Sequence, residues 1–386
     1  MNAAPNILLV SNGYGEAAIA GYIARALRAR DAAARVDHFP LVGRVDGGVG
    51  PQADMPSGGL VAYWNLGNLA RDVRAGLIGL TLRQFAFLRA QKARDVVVAV
   101  GDVYCLASAL TFARRPTVFV ATAKSEHVAG HSKVEVAIAR RAAAVFARDE
   151  ATAHALAARG VPARYAGNLM MDGVAPSGVD LHARADALRV AVLPGSRADA
   201  PANAAAATRR LAMLAGRVAP RALQGFVSIA PGAGAAVLSA AVEKTAGVPL
   251  TPTGIAKGVV ARAQAGPLEI DMVAGAFGDM LAASEIVFGQ AGTANEQAAG
   301  IGLPVIAAGT PERVGWYRMR QQRLLGDALL VLPDDDRAFV DGVATLLADP
   351  ARMQAMAAAG RSRMGGPGAS AAVAEAVIAL ASHNSA

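Results

Sequence analysis

The chain has 386 residues, 54% of them hydrophobic and 18% charged, which is enough material for two hydrophobic cores and excludes disorder as its main state. Its formal net charge of +8 favours anionic ligands or surfaces, and its single cysteine, Cys105, excludes an internal disulfide. Charges or helix breakers interrupt every run of about eighteen apolar residues, so no membrane-spanning helix is expected.

Short apolar runs alternate with helix-like segments in the first half of the chain. Ile7–Ser11 predicts a buried strand, and since the basic region of a signal peptide is lacking before it, we expect a cytoplasmic location. A helix is predicted from Glu16 to about Arg30. Further strands are predicted at Arg35–Phe39, Val96–Val100, Thr117–Ala121, Ala144–Ala147 and Ala163–Tyr165. This alternation predicts a parallel sheet with helices on both faces.

The pattern is interrupted at Met171–Ala187, where Gly, Pro and Asp gather as in a linker, and it resumes at Leu188–Leu193. Later strands are predicted at Phe226–Ala230, Val248–Pro252, Leu268–Met272, Ile286–Phe288, Pro304–Ala307 and Leu329–Val331. The simplest organisation is a first domain over 1–172, a linker over 173–187 and a second domain over 188–364. A C-terminal helix within 365–386 could return to the first domain.

The segment Gly59–Gln91 combines aromatic and aliphatic residues with four arginines: Arg71, Arg74, Arg83 and Arg89. One interpretation is a long helix whose apolar stripe packs on the first sheet. The other is a basic amphipathic face that lies on an anionic membrane surface or lines a groove for a lipid-linked acceptor. Both can hold for different faces of one helix.

A glycine-rich turn follows the first predicted strand, at Asn12, Gly13, Tyr14 and Gly15. Glycines let the backbone approach a ligand, and the following helix offers free N–H groups. Gly13-x-Gly15-x-x-Ala18 with Asp37 also matches the dinucleotide fingerprint of a nicotinamide dehydrogenase. Glu16 would place a negative charge beside the pyrophosphate, which argues against that activity. An ordinary tight turn is the third interpretation.

Two strand–loop–helix connections in the second half are suited to phosphate. Gly195, Ser196 and Arg197 follow a clean strand and supply backbone donors, a hydroxyl and a delocalised cation. About ninety residues later, Gly292 and Thr293 would open a helix N-terminus onto a phosphate group. Two such loops at the carboxyl ends of strands in one Rossmann-like half predict a single site for a diphosphate.

These features resemble the GT-B glycosyltransferases, and most closely the lipid-A-disaccharide synthase-related family, which is itself similar to lipid A disaccharide synthase. The blocks that carry the resemblance run from Ser11 to Gly326: SNGYGE, AVGDVY, TAKSE, FARDEATAHAL, GNLMMDG, LPGSR, AGTANEQAAGIGLPVI and QQRLLG. The resemblance implies an α/β fold of GT-B type, with two Rossmann-like doubly wound domains facing across a cleft. The acceptor would bind the first domain and a nucleotide-diphosphate sugar the second.

The resemblance also assigns candidate residues. The nucleotide sugar would contact Gly195, Ser196, Arg197, Met280, Gln290, Gly292, Thr293, Glu296 and Gln297. The related transferases usually carry a ribose-binding glutamate where this chain has Gln297, and Glu296 stands one place earlier, about 100° away on a helix. Met280 lies where related enzymes place the base pocket, although a core methionine is the alternative.

Asp102 is the first candidate for a general base, because it ends the buried run VVVAVGD where the synthase has aspartates, and Glu16 is the second. The alternative for Asp102 is a helix N-cap. The acceptor would contact Asn12, Gly13, Tyr14, Gly15, Lys124, Ser125 and His127. His127 and His131 are four residues apart, but a third ligand is not evident, so a zinc site is not expected.

The sequence therefore predicts a metal-independent glycosyltransferase without a cofactor. It would move a sugar from a UDP-linked donor to a lipid-linked or glycan acceptor by direct displacement, and nucleic acid is not an expected partner. A sugar-nucleotide 2-epimerase, and a catalytically silent protein that binds nucleotide sugars, are the alternatives within the same fold.

Overall fold

The structure is a computed structural model that describes residues 4–55, 66–196, 199–230, 234–309 and 316–384. It divides into two compact units. Unit 1 comprises Met1–Asp172 and Pro367–Ala386, and unit 2 comprises Gly173–Gly366. The C-terminal segment therefore belongs to unit 1, together with the first 172 residues.

Unit 1 contains a six-stranded parallel sheet in the order β2-β1-β3-β4-β5-β6. Its strands are β1 (Asn6–Ser11), β2 (Arg35–Pro40), β3 (Val96–Gly101), β4 (Thr117–Ala121), β5 (Ala144–Ala147) and β6 (Ala163–Arg164). Alternate residues of β1 enter two different cores: Ile7 and Leu9 face one, Leu8 and Val10 the other. Burial on both faces explains why the strand is apolar throughout.

Helices cover both faces of this sheet. They are α1 (Tyr14–Arg30), α2 (Leu66–Arg74), α3 (Leu77–Arg89), α4 (Val103–Ser108), α5 (Lys133–Ala139), α6 (Glu150–Ala157) and α14 (Ala369–Asn384). The first helix begins two residues before the predicted Glu16, since the glycine turn is shorter than expected. The segment expected as one long helix is two, separated at Ala75–Gly76, and residues 59–65 of it lie outside the described residues.

Unit 2 contains an eight-stranded sheet in the order β14-β13-β12-β7-β8-β11-β10-β9. Its strands are β7 (Ala187–Leu193), β8 (Ala222–Ile229), β9 (Thr251–Pro252), β10 (Gly258–Ala265), β11 (Leu268–Ala274), β12 (Ile286–Gly289), β13 (Val305–Ala308) and β14 (Leu329–Leu332). Strands β9 and β10 are antiparallel to their neighbours, so the sheet is mixed. Of the predicted strand Val248–Pro252, only the last two residues are extended, and β10 was not predicted.

The helices of unit 2 are α7 (Ala200–Val218), α8 (Ala235–Ala246), α9 (Phe277–Ala283), α10 (Thr293–Gly300), α11 (Trp316–Leu325), α12 (Asp336–Leu347) and α13 (Pro350–Met364). Residues of α7, α8 and α12 pack in one large core with alternate strand residues. Helix α10 packs against α13, where a Cβ on Gly360 would lie 2.1 Å from the Ala299 carbonyl oxygen.

Among the described residues, one stretch, Pro350–His383, passes a length-and-composition test for a membrane span. The stretch comprises two separate helices, α13 and α14. The α14 residues Val373, Val377 and Ala381 are buried in the core of unit 1 together with α1. Burial of this kind is typical of a core helix, so the test is weak evidence for a membrane span.

Candidate functional site

The side chains of Asn12 and Asp102 in unit 1 lie at the point where the strand order of its sheet reverses. From β1 the chain passes through α1 to β2 on one side, whereas β3 lies on the other side of β1. Ligands of open α/β sheets bind at such a switch point, outside the carboxyl ends of the strands. Asn12 follows β1 and Asp102 follows β3, and their side chains are hydrogen-bonded to each other.

Asp102 is the N-cap of α4, where its carboxylate accepts a hydrogen bond of 3.0 Å from the Cys105 N–H. The cap that was the alternative interpretation of this residue is therefore present. Burial raises the pKa of the Asp102 carboxyl, and Glu135 raises it further, although hydrogen bonds from the backbone and from Asn12 oppose the shift. A carboxylate with a raised pKa is a better proton acceptor, so the cap and a role as base are compatible.

Glu16 lies at the N-terminal turn of α1, with its carboxylate folded over Gly13: a Cβ on Gly13 would be 2.2 Å from Glu16 Oε2. The Thr122 hydroxyl donates to Glu16 Oε1 over 3.4 Å. Burial raises the pKa of Glu16, and the nearby Asp102 contributes to the increase. An internal carboxylate thus occupies the position where a helix N-terminus would hold a pyrophosphate, which disfavours the dinucleotide interpretation.

The predicted acceptor residues of unit 1 have different environments. Asn12 is buried, whereas Tyr14 is 66% exposed and its hydroxyl donates to Asp54 over 3.3 Å. Lys124 forms an ion pair of 2.7 Å with Glu135, so its charge is locally neutralised. Ser125 is buried, and its hydroxyl accepts a hydrogen bond of 3.2 Å from the backbone N–H of His127. Of the loop expected to contact the acceptor, Lys124 thus has its charge already balanced within the protein.

Unit 2 has its own switch point, between β7 and β12. Pro194, Gly195 and Ser196 follow β7, and Gly195 has a φ of +98°, which favours glycine, with open space beside it. Ser196 is exposed, and Arg197 lies outside the described residues. The Gln290 N–H donates to the Leu193 carbonyl over 2.9 Å, which joins the ends of β7 and β12.

The second loop, Gly289–Gly292, leads into α10, whose first residue Thr293 is exposed. Glu296 and Gln297 are both partly exposed on this helix, so each remains a candidate for a ribose contact. Met280 is completely buried, so its side chain has no surface for a ligand and the alternative of a core methionine holds. Its neighbour Asp279 binds the backbone of 177–179 at the start of unit 2.

A cavity of about 520 Å³ opens beside these loops and is lined by Pro194, Gly289 and Gln290 among others. Another part of its wall carries buried Arg210, whose guanidinium donates to Asp334 over 2.7 Å and to Asp336 over 2.8 Å. The loops offer N–H groups and this wall offers carboxylates, which are suited to phosphates and to hydroxyl groups respectively. This wall does not follow from the sequence, because Arg210 is more than 120 residues from its two carboxylate partners.

Comparisons with known proteins support the fold. No protein-family model matches the chain, and no curated protein sequence does. The chain is similar to a putative UDP-N-acetylglucosamine 2-epimerase of Listeria monocytogenes, with a TM-score of 0.61 and 15% identity over 97% of this chain and 96% of that one. MurG of Acinetobacter baumannii matches with a TM-score of 0.54 and 14% identity, over 97% and 99%.

A third similar structure is the UDP-GlcNAc 2-epimerase of Neisseria meningitidis bound to UDP-GlcNAc. Its TM-score is 0.56 and its identity 10%, over 97% of this chain and 100% of that one. Likeness at this level of identity establishes architecture alone. The predicted GT-B fold, with two Rossmann-like α/β domains, is confirmed.

Proposed function

We propose that the protein is a glycosyltransferase that takes a sugar from a UDP-linked donor bound to unit 2. The observation that carries the proposal is the pair of glycine loops, 194–196 and 289–292, at one switch point beside a cavity of about 520 Å³. Gly292 and Thr293 at the start of α10, with Ser196, would bind the diphosphate. Glu296 or Gln297 would bind the ribose, and Gln290 would face the sugar.

Unit 1 would bind the acceptor, with Asp102 as general base. As the acceptor oxygen bonds to the anomeric carbon, its proton passes to the Asp102 carboxylate and the bond to the diphosphate breaks. The electron pair of that bond leaves on UDP, where backbone N–H groups stabilise the charge. The raised pKa of Asp102 supports this role, and no metal or cofactor is part of the proposal.

The resemblance to the lipid-A-disaccharide synthase-related family supports a lipid-linked or glycan acceptor. Since Lys124 is paired with Glu135 and an internal carboxylate lies over Gly13, the acceptor group bound here would be an uncharged hydroxyl. Phosphate groups of such an acceptor would lie away from these residues. We expect binding by Asn12, Tyr14 and the backbone of 13–15, with a smaller contribution from 124–127.

A sugar-nucleotide 2-epimerase is the second candidate, and one observation favours it. Glu16 and Asp102 are two neighbouring carboxyl groups with raised pKa values, and epimerisation needs more than one acid or base around the sugar. Two of the three similar structures named above are described as epimerases of UDP-N-acetylglucosamine, one of them as putative. Both candidates share the nucleotide site in unit 2.

Incubation with a panel of UDP-sugars tests these candidates together. We expect UDP to be released only when an acceptor extract is added, with the label of the sugar recovered on the acceptor. Conversion to a second UDP-sugar without UDP release would instead identify the epimerase. Saturable UDP binding without either product would identify a silent binding protein, and no binding of any UDP-sugar would contradict the whole proposal.

The arginine-rich helices α2 and α3 support attachment to an anionic membrane surface, the localisation that a lipid-linked acceptor requires. Leu77, Leu80 and Leu88 are buried, so one face of α3 packs inward as the first interpretation expected. Ile78 and Leu82, one turn apart on α3, are 59% and 63% exposed. Arg71 and Arg74 on α2 and Arg83 on α3 are exposed as well.

We expect the protein to float with vesicles that contain anionic lipid at low salt, and less so as salt is added. Each arginine near such a membrane contributes roughly 1 kcal/mol, and the exposed aliphatic side chains add apolar burial. Ile78→Ser/Leu82→Ser should weaken flotation without unfolding the chain. Val237→Ser, at a similarly exposed position of unit 2, is the control. A parent protein that stays in solution with anionic vesicles at low salt would favour a soluble acceptor.

A further inference from the structure

We infer that Asn295 and Gln321 form a buried amide brace that directs the N–H groups of Gly292 and Thr293, where the loop Gly289–Gly292 enters α10, toward the donor diphosphate. The inference rests on the proposed nucleotide site and assigns two positioning residues to it. Neither residue is among the site residues that the sequence predicts.

The brace consists of four hydrogen bonds. Asn295 is fully buried, and its Nδ2 donates to the Gly289 carbonyl over 3.1 Å and to Gln321 Oε1 over 3.4 Å. Gln321 is also buried, and its Nε2 donates to the carbonyls of Ala291 over 3.2 Å and of Gly292 over 3.0 Å. Three carbonyl groups of one short loop are thereby held by two side chains.

The direction of these carbonyls determines the direction of the N–H groups. In a planar trans peptide the C=O and the following N–H point in opposite directions. Because Gln321 holds the carbonyls of Ala291 and Gly292, the N–H groups of Gly292 and Thr293 point away from it. These N–H groups open α10, where a helix leaves its first donors without partners in the helix and carries partial positive charge. The brace thus preorganises two donors for an anion.

The packing around the brace leaves little freedom. A Cβ on Gly289 would lie 2.3 Å from Asn295 Oδ1, so only glycine fits beside the amide. Among the described residues, Asn295 Oδ1 has no hydrogen-bond partner. A buried polar oxygen without a partner costs free energy, and an apolar side chain of the same shape would avoid that cost. The amide at this position is therefore better explained by its control of the loop than by stability.

Binding of UDP and of uridine to isosteric variants tests the inference. Gln321→Met removes the two donors to Ala291 and Gly292, and we expect the dissociation constant for UDP to rise about 5- to 20-fold, the effect of one or two buried hydrogen bonds. Uridine lacks the diphosphate, so its affinity should not change. Gln322→Met, at the exposed neighbouring position, should match the parent.

Equal weakening of UDP and uridine would overturn the inference, because it would mean that Gln321 only supports the fold. Unchanged UDP affinity in folded Gln321→Met and Asn295→Leu would overturn it as well. If the parent itself binds no UDP, the proposed function fails, and hydrogen exchange then tests the brace separately. Faster exchange at 289–296 in Gln321→Met than in Gln322→Met would support the brace, and equal exchange would contradict it.

Discussion

Asp102→Asn is expected to reduce turnover about 100- to 10,000-fold, the usual contribution of a general base, while UDP binding to unit 2 stays unchanged. Asparagine caps helices as well as aspartate does, so the N-terminus of α4 should persist. The substitution therefore separates the charge of the carboxylate from its capping role. Asp349→Asn is the matched control, because Asp349 caps α13 through the same kind of bond, to the Arg352 N–H.

The direction of the pKa shift of Asp102 determines how its carboxyl group affects folding stability as the pH changes. Burial raises the folded-state pKa of Asp102, so the carboxyl contributes stability below its unfolded pKa, and that stability is lost as the pH rises through the folded pKa. At pH 7 the neutral asparagine avoids this loss, and Asp102→Asn should not lower the melting temperature. As the pH is lowered, the turnover of the parent should begin to fall at a pH above the ordinary pKa range of aspartate. Turnover at the parent's level in Asp102→Asn would contradict the assignment and favour Glu16 as the base.

Gly101→Ala is expected to destabilise unit 1 by about 2–4 kcal/mol and to disturb the same site. Gly101 ends β3 with a φ of +142°, which other residues rarely adopt, and its new Cβ would lie 1.7 Å from Asn12 Oδ1. Since the Asn12 amide is hydrogen-bonded to Asp102, any shift that relieves the clash moves a partner of the proposed base.

Urea unfolding at neutral pH measures this effect. Gly216→Ala is the control, because a Cβ there meets nothing within 4 Å in the exposed part of α7, and alanine should stabilise the helix by about 0.5–1 kcal/mol. Asn12→Ala combined with Gly101→Ala should recover the part of the lost stability that is due to the clash with the Asn12 side chain. The part due to the positive φ at position 101 should remain. A Gly101→Ala protein as stable as the parent would show that the end of β3 is not held as described.

The fold could be predicted from the sequence because most strands are buried on both faces and are therefore apolar runs. The run Val96–Val100 shows this, since all its residues are buried. Strand β10 escaped prediction because Gly258–Ala265 contains Arg262 and Gln264 and lies toward the edge of its sheet, where polar residues are tolerated. The early start of α1 was missed because Gly13 and Gly15 suggested a longer loop, whereas Gly15 is helical.

The site could be predicted only as far as local sequence determines it. The loops after β1, β3, β7 and β12 could be predicted, because a strand, a glycine and a helix follow one another along the chain. The contact of Asn295 with Gln321 spans 26 residues, and that of Arg210 with Asp336 spans 126, so neither follows from spacing. The pairing of Lys124 with Glu135 depends on the fold of the loop between them.

Hydrogen exchange with and without saturating UDP tests most directly whether the nucleotide sugar binds unit 2 through its two glycine loops. The proposal predicts that UDP slows exchange in peptides that cover 193–203 and 289–297, and that NAD does not slow exchange around Gly13, where the Glu16 carboxylate takes the place of a phosphate. Uridine, which lacks the diphosphate, should protect 289–297 less than UDP does. Unchanged exchange in both loops at saturating UDP, or protection by NAD confined to the turn around Gly13, would contradict it.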